Sequence, residues 1–271
     1  MRKKLGQHFL IDQTVVAHIL SSAQITSTDH ILEIGPGKGV LTHPLAEQAR
    51  QLTAIEYDPL LAEALQKRFV DDEHVHILCG DARYFDYTDL FQEEGSPRQR
   101  VKIVANLPYY AATPIMLALF PHRKRFGKGI FMFQKEVAER LTASPGSKAY
   151  GSLSVITQFY SEPQYGFSVP PQAFRPQPKV DSAVITIHLY ETPPLQVDDH
   201  DFFTRLVKYA FATRRKTLKN ALTKSRPAFC TPAQFHHACD ILGIDGRIRG
   251  EELSVEDFTN LCNTFIRQRL T

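Results

Sequence analysis

The chain has no tryptophan, three methionines and four cysteines among its 271 residues. The cysteines, Cys79, Cys230, Cys239 and Cys262, form no CxxC pair and read as reduced thiols of a cytosolic protein. No apolar run approaches the ~20 residues of a membrane span. The N-terminus, MRKKLGQHFL, is charged but lacks the apolar stretch of a secretion signal. Neither charge sign dominates: 32 Lys and Arg against 29 Asp and Glu leave a net charge of +3, so any basic patch must be local. There is no internal repeat and no low-complexity tract. What is present is ordinary globular material, 43% hydrophobic and 23% charged, which argues against wholesale disorder and against a fibrous repeat. At this length a sizeable core can be buried without a disulfide or metal staple, and two domains are expected. A soluble cytoplasmic protein follows.

Short β-rich runs occur at His30–Ile34, Gln51–Glu56, Val75–Cys79, Lys102–Ala105, Ile130–Gln134, Ser152–Tyr160 and Ala183–Leu189. Helical patterns lie between several of them, over Val40–Arg50, over Leu60–Phe69 after Asp58-Pro59, and over Ile115–Phe120 after Thr113-Pro114. This alternation predicts an α/β fold with a mostly parallel sheet and an antiparallel finish. Beyond Glu191–Pro194 only helical patterns remain, at Phe202–Phe211, Leu218–Lys224, Ala233–Leu242 and Val255–Arg269, the last opened by the capping-box pair Ser254 and Asp257. Two domains are therefore expected, an α/β domain over 1–191 and a small all-helical domain over 192–271.

The strongest local signal is Gly35-Pro-Gly37-Lys-Gly39 at the end of a strand pattern, preceded by Glu33. Glycines there permit a tight turn and close approach of a ligand. The spacing is GxGxG rather than the GxGxxG of dinucleotide binders, and a carboxylate at Glu33 would repel a pyrophosphate but suit a ligand with cationic groups. Both features disfavour a nicotinamide oxidoreductase. S-adenosylmethionine has such groups, and the loop resembles the first motif of class I methyltransferases. Glu56 closes the second strand run, 21 residues after Gly35, where an acid can take both ribose hydroxyls. Asp81 follows the third strand run, the position that reads the cofactor's adenine in such enzymes. Each carboxylate alone is equally an ordinary strand end; three acids following three successive strands, with the loop, describe a cofactor crevice.

After the fourth strand run stands Asn106-Leu107-Pro108-Tyr109, similar to the tetrapeptide of methyltransferases that act on an exocyclic amine. Adenine's amine is a poor nucleophile because its lone pair is delocalised into the ring. The Asn106 side-chain carbonyl and a backbone carbonyl of the same turn can accept its two N–H bonds and aim the lone pair at a sulfonium methyl. Pro108 stiffens the turn and Tyr109 offers a stacking face. Asn-x-Pro is also common in simple turns; its place after a fourth strand favours the chemical reading.

Together with Gly6-Gln7-His8-Phe9-Leu10-x-Asp12 and Pro170-Pro-x-x-Phe174-x-Pro-x-Pro-Lys179-Val-Asp181-Ser182, these motifs identify the chain as resembling the ribosomal RNA adenine dimethyltransferase family over essentially its whole length, closest to the bacterial KsgA-type small-subunit (16S) branch. The resemblance implies S-adenosylmethionine as methyl donor and transfer of two methyl groups to each of two adjacent adenosines in a hairpin near the 3′ end of small-subunit ribosomal RNA, on an assembling particle. It places His8, Leu10, Gly35, Glu56, Asp81 and Asn106 at cofactor contacts. It sets Phe174 opposite Tyr109 across a flipped adenine; a core phenylalanine is the plainer reading of Phe174. Flipping is required wherever the target is paired or stacked.

Phe211–Arg226 carries six Lys or Arg and no acid. A solvated helix face is the common explanation of such a run. Beside the methyltransferase motifs, Arg214, Arg215, Lys216 and Lys219 are expected to contact RNA phosphates; Arg123-Lys124-Arg125 stays undecided. Cys230, His236, His237 and Cys239 match no zinc spacing, so no metal is expected. Nothing points to an obligate dimer, and a monomer is expected. Two alternatives remain: a large-subunit adenine methyltransferase of the antibiotic-resistance type, and a ribosome-assembly factor whose main task is binding.

Overall fold

In the computed structural model, residues 7–88, 90, 100–213 and 215–270 are described. Their elements, in chain order, begin with β1 (Phe9–Leu10), α1 (Gln13–Ala23), β2 (His30–Ile34), α2 (Thr42–Gln48), β3 (Gln51–Glu56), α3 (Pro59–Arg68), β4 (Val75–Cys79), β5 (Val101–Asn106), α4 (Ala112–Leu119) and β6 (Phe126–Gln134). They continue with α5 (Lys135–Leu141), α6 (Ser152–Tyr160), β7 (Ser161–Val169), β8 (Phe174–Arg175), β9 (Ser182–Leu189), α7 (His200–Phe211), α8 (Leu218–Thr223), α9 (Pro232–Leu242) and α10 (Val255–Leu270).

Seven strands form one sheet in the order β4-β3-β2-β5-β6-β9-β7. The first five are parallel and β9 pairs antiparallel with β6, the finish expected from the sequence. Ile31, Leu32, Leu52, Ala54, Ile103 and Val104 are fully buried, as strands covered on both faces require. The chain runs from β2 outward to β4, then returns to the other side of β2 to lay down β5. The order therefore reverses beside β2, and such a reversal opens a crevice at the carboxyl ends of the strands. Register aligns those ends: Ile34 lies beside Ile55 and Ala105, and Glu56 beside Cys79.

The helix starts are chemically explicit. Asp12 Oδ1 accepts from the Thr14 and Val15 amides at 2.8 and 3.2 Å to open α1, and Asp58 caps α3 ahead of Pro59. α4 begins earlier than expected: Ala111 precedes it with no side-chain cap, and Thr113 and Pro114 lie inside its first turn. Proline is tolerated there because first-turn N–H groups have no partner within the helix.

The run Ser152–Tyr160, expected as a strand, is the helix α6. Its β-branched and aromatic residues suggested a strand, but Val155, Ile156, Phe159 and Tyr160 recur at helical spacing and are all buried. The Ser154 hydroxyl accepts from the Gly151 amide at 3.0 Å, closing the N-terminus. The strand that the sequence concealed follows at once. β7 carries Pro163 and Gly166, which disguise it, and it lies at the sheet edge, where a proline withholds no ladder bond.

Contacts divide the chain into two units, Met1–Ala138 with Glu162–Thr192, and Glu139–Ser161 with Pro193–Thr271. An uninterrupted first domain over 1–191 is thus corrected: Glu139–Ser161, with α6, belongs to the helical unit. The reason is packing, since the α6 ring of Phe159 lies 4.4 Å, centroid to centroid, from Phe203 of α7. The same unit buries Phe202, Leu206, Phe235, Phe258 and Phe265, and the expected Ser254–Asp257 capping box opens α10 with bonds of 2.7 to 3.1 Å. No helix among the described residues is long and apolar enough to cross a membrane.

Candidate active site

A cleft of about 980 Å³, its open mouth included, lies at the strand ends of the α/β unit. His8, Leu10, Gly35, Glu56, Asp81, Asn106, Leu107, Pro108, Tyr109 and Phe174 all line it, whereas Glu33, the first of the three acids read from the sequence, does not.

The floor is the glycine loop. Gly35 has φ +73°, and a Cβ there would lie 3.3 Å from the Asn106 carbonyl oxygen; only glycine lets the loop and the end of β5 approach so closely. Gly37, at φ +59°, does the same toward the ring of Phe9. Glu56, at the end of β3, is 3% exposed and ties the loop down: Oε2 accepts from the Gly37 amide at 2.9 Å and Oε1 from the Asp58 amide at 2.8 Å. Burial pushes its carboxyl above the usual range, and these backbone donors oppose the rise. A carboxylate has about four acceptor sites, so these donors do not use up its capacity to accept from a ligand hydroxyl.

Asp81 opens the turn after β4. Arg83 grips it with Nε at 2.9 and 3.1 Å from the two oxygens and Nη2 at 2.5 Å from Oδ2, which holds the carboxyl below its ordinary range. Glu33 is corrected. It is 1% exposed and does not line the cleft, and burial pushes its carboxyl up to about 8, with the Thr42 hydroxyl opposing the rise. A strand residue two before the loop points into the sheet's packing rather than at a ligand, and sequence distance conceals this.

The tetrapeptide begins where β5 ends. Leu107 is buried, the Pro108 carbonyl accepts from the Ala111 amide at 2.9 Å, and the Tyr109 hydroxyl meets Ser182 Oγ at 2.6 Å. The Tyr109 ring stacks on His8, with centroids 5.6 Å apart and planes 30° apart. His8 is itself anchored, since its Nδ1 lies 2.7 Å from the Pro176 carbonyl, which can only accept; Nδ1 therefore carries the proton. β1 and β8 form a two-stranded ribbon that pairs Leu10 with Phe174, and Ile11 N donates to Ala173 O at 2.8 Å. The two motifs at the extremes of the α/β unit, around His8 and Phe174, are thus one wall. Phe174 is 2% exposed and belongs to the core while also lining the cleft.

Among the lining residues that escaped the sequence reading are Tyr57, Arg83 and Tyr110. Each directly follows, or lies two after, a recognised position, and adjacency was the available signal. Of the basic run, Arg214 lies outside the described residues. Arg215 and Lys216 are exposed between α7 and α8, and Lys219 is half-buried in α8; all three belong to the helical unit and none lines the cleft.

The cleft joins the glycine loop, the carboxylates Glu56 and Asp81 and the Asn106–Tyr109 turn. The profile of the ribosomal RNA adenine dimethylase family matches residues 1–267. The ribosomal RNA small subunit methyltransferase A of Magnetococcus marinus is 44% identical over 262 residues, covering 97% of this chain and 91% of that protein. Its counterpart in Oceanobacillus iheyensis is 41% identical over 264 residues, covering 97% and 90%. Among solved structures, a dimethyladenosine transferase from Plasmodium falciparum matches with a TM-score of 0.78 at 25% identity, covering 97% of this chain and 98% of its own. The fold is the Rossmann-like one of class I methyltransferases, and by a match spanning nearly its whole length the chain belongs to the ribosomal RNA adenine dimethylase family.

Proposed function

We propose that this chain dimethylates the exocyclic amines of two adjacent adenosines in the 3′-terminal hairpin of small-subunit (16S) ribosomal RNA, using S-adenosylmethionine, in the cytoplasm and as a monomer acting on the immature small subunit. The observation that carries the reading is the convergence of Gly35, Glu56, Asp81 and Asn106–Tyr109 on one cleft. The residues suit the donor: the floor is free of side chains at Gly35 and Gly37, Glu56 keeps acceptor sites for a diol, and Asp81 offers an acceptor to an amine. His8 and Leu10 close the pocket from β1, with Asn106 between donor and substrate. When bound, S-adenosylmethionine supplies a methyl group on a sulfonium that leaves as a neutral thioether.

The protein's part is positioning. The Asn106 side-chain carbonyl and a backbone carbonyl of its turn accept the N–H bonds of the target amine, which directs the nitrogen lone pair along the line of displacement. Tyr109, held through Ser182 and His8, presents one stacking face, and Phe174 stands on the other side of the base. The methylated nitrogen would be cationic and readily give its proton to solvent water, so the chain need supply no strong general base. For the second methyl the amine retains one N–H, and the base turns until that hydrogen meets an acceptor. Arg214, Arg215, Lys216 and Lys219 hold phosphates.

The test is transfer from labelled S-adenosylmethionine to immature small subunits, with nucleoside mass spectrometry of the RNA. Dimethyladenosine formed by the parent protein and lost in Asn106→Ala is the expected result. Cofactor binding without any methylated adenosine would overturn the substrate assignment.

A further inference from the structure

The turn after β4 carries an arginine that no motif announces. Asp81 Oδ1 accepts from the Arg83 backbone amide at 3.0 Å and from Nε at 2.9 Å, while Oδ2 accepts from Nη2 at 2.5 Å. Three N–H groups of one residue therefore engage both oxygens, the Nε–H shared between them at 2.9 and 3.1 Å, and occupy most of the carboxylate's acceptor capacity. The turn beneath is pinned as well. The Tyr84 amide donates to the Asp81 carbonyl at 3.0 Å, the Gly80 amide to Glu56 O at 2.9 Å, and the buried Tyr87 hydroxyl to Ala82 O at 2.6 Å. Arg83 also lies 5.3 Å from the ring centroid of Tyr84, and both Asp81 and Arg83 line the cleft.

We propose that Arg83 is a positioning and specificity residue for the purine of the cofactor: its fork fixes Asp81 as an acceptor-only carboxylate whose remaining acceptor capacity faces the cleft, so that a 6-amino purine is bound and a 6-oxo purine is rejected. The proposal rests on the reading that Asp81 takes the adenine amine. A carboxylate with no proton has nothing to donate to a 6-oxo group, and two facing oxygens without a hydrogen between them repel. A carboxyl held without the fork protonates more readily and turns more freely, and both changes erode the discrimination. The guanidinium's hold on Asp81, which lowers its pKa, extends the acceptor-only form toward acid pH. The bidentate geometry matters as much as the charge, so lysine is not an equivalent.

The test is calorimetric binding of S-adenosylhomocysteine and its deaminated counterpart S-inosylhomocysteine to the full chain, to Arg83→Met, Arg83→Lys and Asp81→Asn, across pH, with thermal melts to confirm folding. The parent is expected to prefer the adenosyl ligand by about tenfold or more, the scale of leaving one buried polar group unpaired. Arg83→Met is expected to bind the adenosyl ligand about three- to tenfold more weakly, to narrow the preference and to lose affinity at a higher pH on the acid side, with Arg83→Lys intermediate. Asp81→Asn impaired while Arg83→Met keeps the parent's affinity, preference and pH limb, or binds more tightly, would overturn the role of Arg83. Asp81→Asn binding like the parent would instead overturn the reading of Asp81 on which it rests.

Discussion

Two glutamates near the glycine loop are used in opposite ways. Glu56 meets backbone donors and lines the cleft, whereas Glu33 is sealed in the core. The ordinary value of Glu33 is 4.5 and its folded value about 8, so the folded protein keeps a proton that the unfolded chain releases. Its stability contribution is therefore fully present below 4.5, falls as pH rises toward about 8, and is gone above that. Glu33→Gln, which imitates the neutral carboxyl, is expected to melt above the parent in alkaline buffer, with the gap closing near pH 4.5; melts at a series of pH values check this, and a gap independent of pH would count against it. At Gly35, φ +73° makes alanine cost about 1–2 kcal/mol before its 3.3 Å contact with Asn106 O is added, so Gly35→Ala is expected to lower both the melting temperature and cofactor affinity. With the role proposed for Asn106, its replacement by alanine removes an acceptor that works as the nitrogen reacts, and single-turnover transfer by Asn106→Ala is expected to fall about a hundredfold or more. That Gly35, Glu56, Asp81 and Asn106 share one cleft was legible because each stands at the end of a successive strand. Glu33 was misread because a strand residue's facing depends on the sheet around it.

At the scale of elements, the cleft is a joint between the parallel sheet and the β1–β8 ribbon. The ribbon brings His8 and Leu10 against Phe174 and Pro176, 164 or more residues away in the chain, and Tyr109 links to it through His8 and to β9 through Ser182. Tyr109→Phe keeps the ring and its stacking but removes the 2.6 Å bond, so kcat is expected to fall several-fold with RNA affinity little changed; an equal loss in binding would show that the hydroxyl serves the substrate rather than the ring's placement. The parallel strands were legible as apolar runs because burial on both faces demands them. α6 and β7 were not, since Val155, Ile156 and Phe159 are compatible with either period, and Pro163 disguises a strand that only an edge position permits.

Over the whole molecule, the residues proposed for the cofactor and those proposed for phosphates fall in different units: the cleft lies wholly in the α/β unit, and Arg215, Lys216 and Lys219 in the helical one. Alanine at any of these three is expected to weaken RNA binding and to reduce the slope of log affinity against log salt by about 1 for each phosphate no longer held, while S-adenosylmethionine binding stays unchanged. Titrations at several salt concentrations measure both, and a slope that does not move would remove the residue from the RNA path. The net charge of +3 is too small to reveal such a face by composition. The sequence by itself determined the parallel α/β class, the glycine loop, the acids that follow successive strands and the amine-suited turn, because hydrophobic period, turn chemistry and short-range spacing are written within a few residues. Only the tertiary structure decided that Glu33 is sealed in the core, that Glu139–Ser161 joins the helical unit, that the His8 and Phe174 segments form one wall, and that Arg83 grips Asp81. Each of these depends on what neighbours burial and pairing place beside a residue.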